Sequence, residues 1–584
     1  MNMNGRTRTQ YDRLATPGNL QILSNRLRSR NAFSVGQSIK NVYYAQISDY
    51  HVVNDEMIQV DFDAVNAYST AFWPTSNSSF PFAIHPENSN SLRELLYPDL
   101  ILERVNNYWN RVFTENDSDR NSPNSIFNEV NDPFHYLKLC TISLTLQADR
   151  YENIVKVASQ RQNVDAWFTI ILGSVVEQNT IALNNGTMAL LNFGWSNPQQ
   201  SNINTYHYFT GITICPPKEA AALNAATNVT AWPAGNDAII RKTLQKIPRM
   251  EQLICFNVGQ GTCVGLADAH GKVLLYSDLG CDAPRNQKAT PKDLQFCNCT
   301  NPPIILSHWH CDHYNGIFHS GEDFRSNTWI LPPRPTSLNF NKSRVGKELR
   351  SRGGTILNFP NPAPTNHAIT ASFGNGTQVI SLIQCTGKLS QKNANECGIA
   401  VEIEDMHDDR PVKWILPGDA SYSSFTDPFP DAEPVAVVAA HHGGHIDKAK
   451  YPHRPSISQY ARLLFSFGTD NTYGIPCTAD ADTLKRYKAE KWRFPSGWVS
   501  SQKTYSLTAN KGKSTKPKTV IASTQVKTPA SEHDVLSTAT WKQPDPKQPQ
   551  KPLTHIAASW KANAQVDSTH LKTCLTKQTF QILR

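Results

Sequence analysis

The chain has 584 residues, 39% of them hydrophobic and 18% charged, with a formal net charge of +8. That length is enough for two or three domains, and the composition fits a folded soluble protein rather than a disordered one. The charge is unevenly placed: residues 501–584 hold thirteen Lys/Arg against four Asp/Glu, a net of +9, so the remainder nets −1.

The first thirty residues are polar, with Arg6, Arg8, Arg13, Arg26, Arg28 and Arg30, and lack the apolar core of a signal peptide. The longest apolar run, Val164 to Val176, contains Asp165 and is too short to span a bilayer. Twelve cysteines are scattered without a framework. Together these features predict a cytoplasmic protein with reduced thiols and no membrane partner.

Residues 1–245 read as an α+β N-terminal domain of unknown role. Met57–Phe62 and Cys140–Leu146 are strand-like. Pro98–Phe113 is helix-like, with apolar residues at Ile101, Val105, Tyr108 and Val112. No Gly-rich phosphate loop and no ligand cluster appears there, so recognition of a protein partner, oligomerisation and sensing are all open.

From Leu253 the pattern changes. Two short apolar strands flank the corner Gly259-Gln260-Gly261, and a hairpin at His270–Gly271 leads into a strand ending at Asp278. Glycines at that corner permit close backbone approach to a site. Cys297 and Cys299 form a C-x-C pair, two thiols that admit a structural metal but signal it weakly. Pro302 to Gly316 then reads P-P-I-I-L-S-H-W-H-C-D-H-Y-N-G. A buried strand runs out into a loop with His308, His310, Asp312 and His313 in six residues. Imidazoles and a carboxylate suit zinc or a similar divalent ion.

Further strands are expected at Thr328–Pro332, Gln378–Cys385, Gly398–Glu404, Trp414–Asp419, Val435–Ala440 and Leu463–Phe467, with a helix at Asp480–Trp492. Two of them run out into polar clusters: Trp414–Asp419 into Pro-Gly-Asp419, and Val435–Ala440 into His441-His442-Gly443-Gly444-His445. Alone, Asp419 after Pro-Gly would be an ordinary turn residue. The basic stretch at 501–584 reads as a C-terminal tail, suited to nucleic acid or to a solubilising role.

The H-x-H-x-D-H loop resembles the signature of the metallo-β-lactamase superfamily. With V-G-Q-G (258–261), Asp278, L-P-G-D-A-S (416–421) and H-H-G-G (441–444), the segment from Glu251 to Phe494 is similar to one branch. That branch is the soluble domain of the bacterial DNA-uptake competence protein and its stand-alone relatives. The resemblance implies an α/β fold over residues 250–500, an αββα sandwich, preceded by the separate α+β domain. It implies one or two zinc ions, manganese being a substitute. His308 and His310 would hold one ion. Asp312, His313 and one of His441 or His442 would hold the other, with His442 the first choice and Asp419 bridging. Asp278 would orient the ligands from behind. Two ions roughly 3.5–4 Å apart can activate a hydroxide and stabilise in-line displacement at phosphorus. Asp312 and His441 would then act in catalysis, the histidine protonating the leaving oxygen.

Three departures stand out. Thr262 and Asn257 replace acidic residues around the glycine corner, and Ile475 stands where the branch has a histidine in Asn471–Pro476. The superfamily's histidine between the loop and the bridging aspartate has no clear counterpart: the interval offers only His319, His367 and His407, with Asn393, Asn395 and Glu396 in an Asn-rich turn. The expected function is a metal-dependent hydrolase, a phosphodiesterase or nuclease. Its rivals are hydrolysis of a cyclic nucleotide, lactone or thioester, and a catalytically weak metal-binding sensor or scaffold.

Overall fold

The structure, a computed structural model, describes residues 41–54, 56–67, 139–160, 166–176, 186, 188–192, 204–215, 217, 220–221, 223–224, 233–281, 283, 290–291, 294–319, 323–333, 340–360, 367–386, 395–444, 446, 450–456, 460–468, 475, 482–494, 534–537, 556–560 and 570. The chain divides into two compact units, residues 1–232 with 337–347, and residues 233–336 with 348–584.

The first unit holds β1 (Val42–Asn54), β2 (Met57–Asn66), β3 (Leu139–Gln147), β4 (Trp167–Val176), β5 (Met188–Asn192) and β6 (Asn204–Ile214). They close into a barrel in the order β1-β2-β3-β5-β6-β4, every neighbouring pair antiparallel. Apolar residues at alternate positions drive this: Ile58, Val60, Phe62 and Ala64 on β2, with Ile142, Leu144 and Leu146 on β3 and Phe168 and Ile170 on β4, form one buried cluster. Phe62 meets Phe168 edge-on at 5.7 Å between centroids. Closure leaves no strand edge without a partner. The expected α+β domain is corrected to this barrel, because a period of two dominates the sequence between its turns. The expected helix at Pro98–Phe113 lies outside the described residues.

The second unit is built on two seven-stranded sheets. One contains β7 (Gln252–Cys255), β8 (Cys263–Ala267), β9 (Val273–Leu279), β10 (Ile304–Ile305), β11 (Thr328–Leu331), β12 (Thr355–Asn358) and β20 (Ile556–Ser559). Its order is β12-β11-β10-β9-β8-β7-β20, parallel from β12 to β9 and antiparallel beyond. The other contains β13 (Ala368–Phe373), β14 (Gln378–Gln384), β15 (Ile399–His407), β16 (Arg410–Leu416), β17 (Glu433–Val438), β18 (Arg462–Phe465) and β19 (Val535–Ser537), in sequence order. One core joins the sheets face to face: Leu253, Leu266, Leu275 and Ile305 pack with Ile369, Leu382, Val401 and Trp414.

The α/β, αββα expectation is overturned by this architecture: a closed barrel and extended sheets make the molecule predominantly β. Tight turns join several of the strands. β13 passes to β14 through Gly374–Gly376, and β15 to β16 through Asp408 and Asp409, both at positive φ. The longest helix among the described residues, Phe340–Ser351, has twelve residues. No helix among them is long and apolar enough to cross a membrane.

Candidate metal centre

Four segments that follow buried strands bring the polar residues of the second unit together. β9 carries Asp278 one residue before its end. β10 leads to Ser307, His308 and His310, and a four-residue helical turn, Cys311–Tyr314, presents Asp312 and His313. Asp419 follows β16, and His441 and His442 follow β17 in a short 3-10 turn. Strand ends suit this work because the sheet fixes their positions while the exiting loop frees the side chains.

The loop lies close on the glycine corner. A Cβ at Gly280 would collide with the carbonyl of Asp312, and one at Gly261, whose φ is +151, would stand 2.7 Å from the same oxygen. Asp278, His441 and His442 are non-glycine residues at φ of 61, 51 and 56. Left-handed backbone at such residues is costly and concentrates where surroundings over-determine a site.

The ligand atoms fall into two groups, His308 with His310 and Asp419, and Asp312 with His313 and His442, each within 4.8 Å internally. Asp419 divides its two oxygens between them. Its Oδ2 faces His308 Nε2 at 3.6 Å and His441 Nε2 at 3.8 Å. Its Oδ1 faces His313 Nε2 at 3.2 Å and His442 Nε2 at 3.6 Å. Asp312 Oδ2 stands 3.3 Å from His442 Nε2. His308, His313, Asp419 and His442 are buried to 3% exposure or less, whereas the side chains of Asp312 and His441 are 17% and 25% exposed. Asp312 and His441, with the half-buried His310, mark the open edge.

The charges follow from this crowding. Burial alone would raise the Asp419 carboxyl pKa, but His313, His442, His441 and His308 outweigh it and hold it well below the usual carboxylate range. Asp312 is lowered in the same way, burial being outweighed by His313 and His442. Burial and the neighbouring His313 push His308 well below the ordinary imidazole value, so it is neutral. For His313, burial is outweighed by Asp419, Asp278 and Asp312, and its pKa rises well above the ordinary value.

A metal fits these residues. Nε2 of His308, His313 and His442 and Oδ1 of Asp419 are all buried without a hydrogen-bond partner. Each such atom costs roughly 1–3 kcal/mol. The opposite ring nitrogens are engaged, as in metal-binding histidines. His313 Nδ1 donates to Asp278 Oδ2 at 2.7 Å, and His442 Nδ1 donates to the Ser466 carbonyl at 2.9 Å. With Nδ1 engaged, Nε2 is the nitrogen that each of these two rings turns toward the other ligands.

All the residues expected from the sequence at this site converge: Asp278, His308, His310, Asp312, His313, Asp419, His441 and His442. His367 and His407 do not; their Nε2 atoms face Asp237 at 2.8 Å and Asp405 at 3.3 Å. His319 joins neither ligand group. Asn393, His445 and most of Asn471–Pro476 lie outside the described residues; Ile475 packs against an apolar cluster. Four supporting residues were given no role by the sequence reading. Ser307 donates its backbone N–H and hydroxyl to Asp278 at 2.6 and 2.8 Å and reaches His308 Nδ1 at 3.0 Å. Thr262 Oγ1 lies 3.1 Å from His442 Nδ1, so the hydroxyl that replaces an acidic residue of the resembling branch has a partner at the site. Ser466 offers only its carbonyl, which no side-chain pattern reveals. Ser421, two residues past Asp419, donates to Glu396 through backbone N–H and hydroxyl at 3.3 and 3.1 Å. Adjacency to His308 is the one signal that could have singled out Ser307.

No family model matches the chain, and no curated protein matches it. Among solved structures, the diiron β-hydroxylase CmlA from Streptomyces venezuelae aligns over 61% of this chain and 66% of its own, at 11% identity and a TM-score of 0.19. A point mutant of CmlA aligns at 9% identity over 61% and 68%, with the same TM-score. The chain thus spans just under two thirds of the first of these. Superposition at that level does not bear on activity.

Proposed function

We propose that this protein is a metal-dependent hydrolase of phosphodiesters, related through its ligand motifs to the metallo-β-lactamase superfamily. The observation that carries the reading is the division of Asp419: Oδ2 faces His308 Nε2 and Oδ1 faces His313 Nε2 and His442 Nε2, three buried imidazole nitrogens without a hydrogen-bond partner. His308, His310 and Asp419 would hold one ion, and Asp312, His313, His442 and Asp419 the other. Such ions supply Lewis-acid activation of water and of the phosphoryl group.

The chain's own residues do the rest. Asp278 holds His313 through Nδ1 and, with Ser307, fixes the rotation of the ring pair. Asp312, partly exposed, is placed to accept a proton at the open edge. His441, 3.8 Å from Asp419 on the His308 side, is placed to return a proton to a leaving oxygen or to serve as a third ring on that side. The lysine-rich stretch at 503–527 supports a polyanionic substrate such as DNA or RNA by its charge alone. Ile475, packed against an apolar cluster where the resembling branch carries a histidine, favours a second reading as a metal-binding sensor.

Metal content, measured beside cleavage of single- and double-stranded DNA, RNA and a generic phosphodiester with added zinc or manganese, decides between them. About two ions per chain and metal-dependent cleavage are expected. Asp312→Ala and Asp419→Ala should each abolish cleavage without unfolding the protein. Cleavage retained in both variants would overturn the mechanism, and metal bound without cleavage of any substrate would favour the sensor.

A further inference from the structure

A second cluster of metal-binding side chains lies away from this centre. Cys297, Cys299 and His570 bring two sulfurs and an imidazole nitrogen within 4.8 Å of one another. Cys297 Sγ stands 3.7 Å from His570 Nε2. A tetrahedral zinc site, with Zn–S about 2.3 Å and Zn–N about 2.0 Å, has ligand edges of roughly 3.5–3.8 Å. Cys297 and His570 are therefore already at the separation an ion would impose, with Cys299 within 4.8 Å of both. From the geometry we infer that Cys297, Cys299 and His570 form a zinc site.

The surrounding structure holds the sulfurs in place independently of any ion. Phe296 packs edge-on against Phe256 and Tyr276, and Cys297 is fully buried beside it. The Tyr276 hydroxyl donates to the Cys297 carbonyl at 3.0 Å. Asn327 donates to Asn298 Oδ1 at 2.8 Å, and the Thr300 hydroxyl donates to the Val273 carbonyl at 2.6 Å. The C-x-C loop is thus tied to the start of β9, whereas Asp278 stands near its other end. The two clusters share no ligand.

The third ligand comes from far along the chain. His570 lies eleven residues beyond β20, the edge strand that pairs with β7 in the same sheet. An ion here would tie the end of the chain to the loop that leads into β10 and the histidine loop. Thiolate and imidazole are soft and borderline donors that suit zinc, and the thiolates set this group apart from the imidazole and carboxylate ligands around Asp419. No fourth His, Cys, Asp or Glu among the described residues joins the group, which leaves one coordination position to water. Binding displaces the protons of both thiols to solvent.

Cobalt substitution of the full-length protein separates this site from the other centre, which contains no sulfur. Wild type should show a thiolate-to-cobalt charge-transfer band in the near ultraviolet, and Asp419→Ala should keep it. Cys297→Ser with Cys299→Ser should lose the band and one equivalent of zinc, and His570→Gln should shift and weaken the band. Absence of the band in wild type, or its persistence in the double variant, would overturn the assignment. A readout that needs no variant uses Cys299, which is exposed. Zinc should slow its alkylation by iodoacetamide and chelation should restore the rate; equal rates with and without zinc would refute the site.

Discussion

Asp278 shows how one carboxylate can set a whole site. Fully buried, it accepts from Ser307 N, Ser307 Oγ and His313 Nδ1 at 2.6–2.8 Å, so three elements meet on two oxygens. Asp278→Asn keeps the size but cannot accept all three bonds with full charge. It should cost about 10- to 100-fold in metal affinity with the fold retained, measured by chelator competition beside circular dichroism. Glu402 offers a different test. Burial pushes its carboxyl up to about 8, against the pull of Lys413 at 3.3 Å, while Asp427 competes for the same ammonium at 2.5 Å. In the unfolded chain the carboxyl titrates at about 4.3, so between these values the folded protein holds a proton the unfolded one has released. The stability from that proton is fully present below about pH 4 and is lost as pH rises through about 8. Glu402→Gln should therefore gain melting temperature relative to wild type as pH is raised from 5 to 8. A constant difference across that range would show that Glu402 is already ionised.

Among elements, the short strands near the end of the chain matter most. β20 pairs with β7, and the next residue, Trp560, stacks on Trp414 at 3.8 Å with planes 8° apart. Its indole N–H donates to the Met250 carbonyl at 2.8 Å. β19 pairs with β18, and the preceding Asp534, fully buried, receives Arg454 and Arg493 at 2.8 and 2.7 Å. Burial would raise Asp534, but the two guanidinium groups outweigh it and lower its pKa. Each sheet thus closes one edge with a strand from the stretch whose composition reads as a basic tail. Trp560→Ala should cost about 3–5 kcal/mol, the usual loss for a large buried aromatic, read from denaturant unfolding. A loss below about 1 kcal/mol would mean that the stack is not part of the cooperative core.

At the scale of the molecule, metal and stability are linked. Three imidazole nitrogens and one carboxylate oxygen are buried without hydrogen-bond partners, and an ion that binds only the folded chain repays them. Stripping metal with a chelator should lower the melting temperature, and re-adding zinc should restore it. At a free ion concentration about 100 times Kd, the stabilisation is about 2.7 kcal/mol. A melting temperature indifferent to chelation would remove the ion from the site.

The sequence alone was enough to locate most of the strands of the second unit and to collect the ligands. β14, β15, β16 and β17 begin within four residues of where their apolar runs predict, because buried strands are read from local composition. His308, His310, Asp312 and His313 lie within six residues, so one loop discloses their chemistry. Ser466 and Glu396 were illegible because their parts at the site depend on a carbonyl and on a loop pairing between strands. The barrel was illegible too: alternation identifies strands but not the closure of β1 on β4, which is a pairing across more than a hundred residues. The same limit hid the fate of the last eighty residues. Net charge is a local property and was correctly counted, but whether Val535–Ser537 and Ile556–Trp560 are solvated or docked depends on sheet edges supplied elsewhere in the chain, and only the tertiary structure decides that.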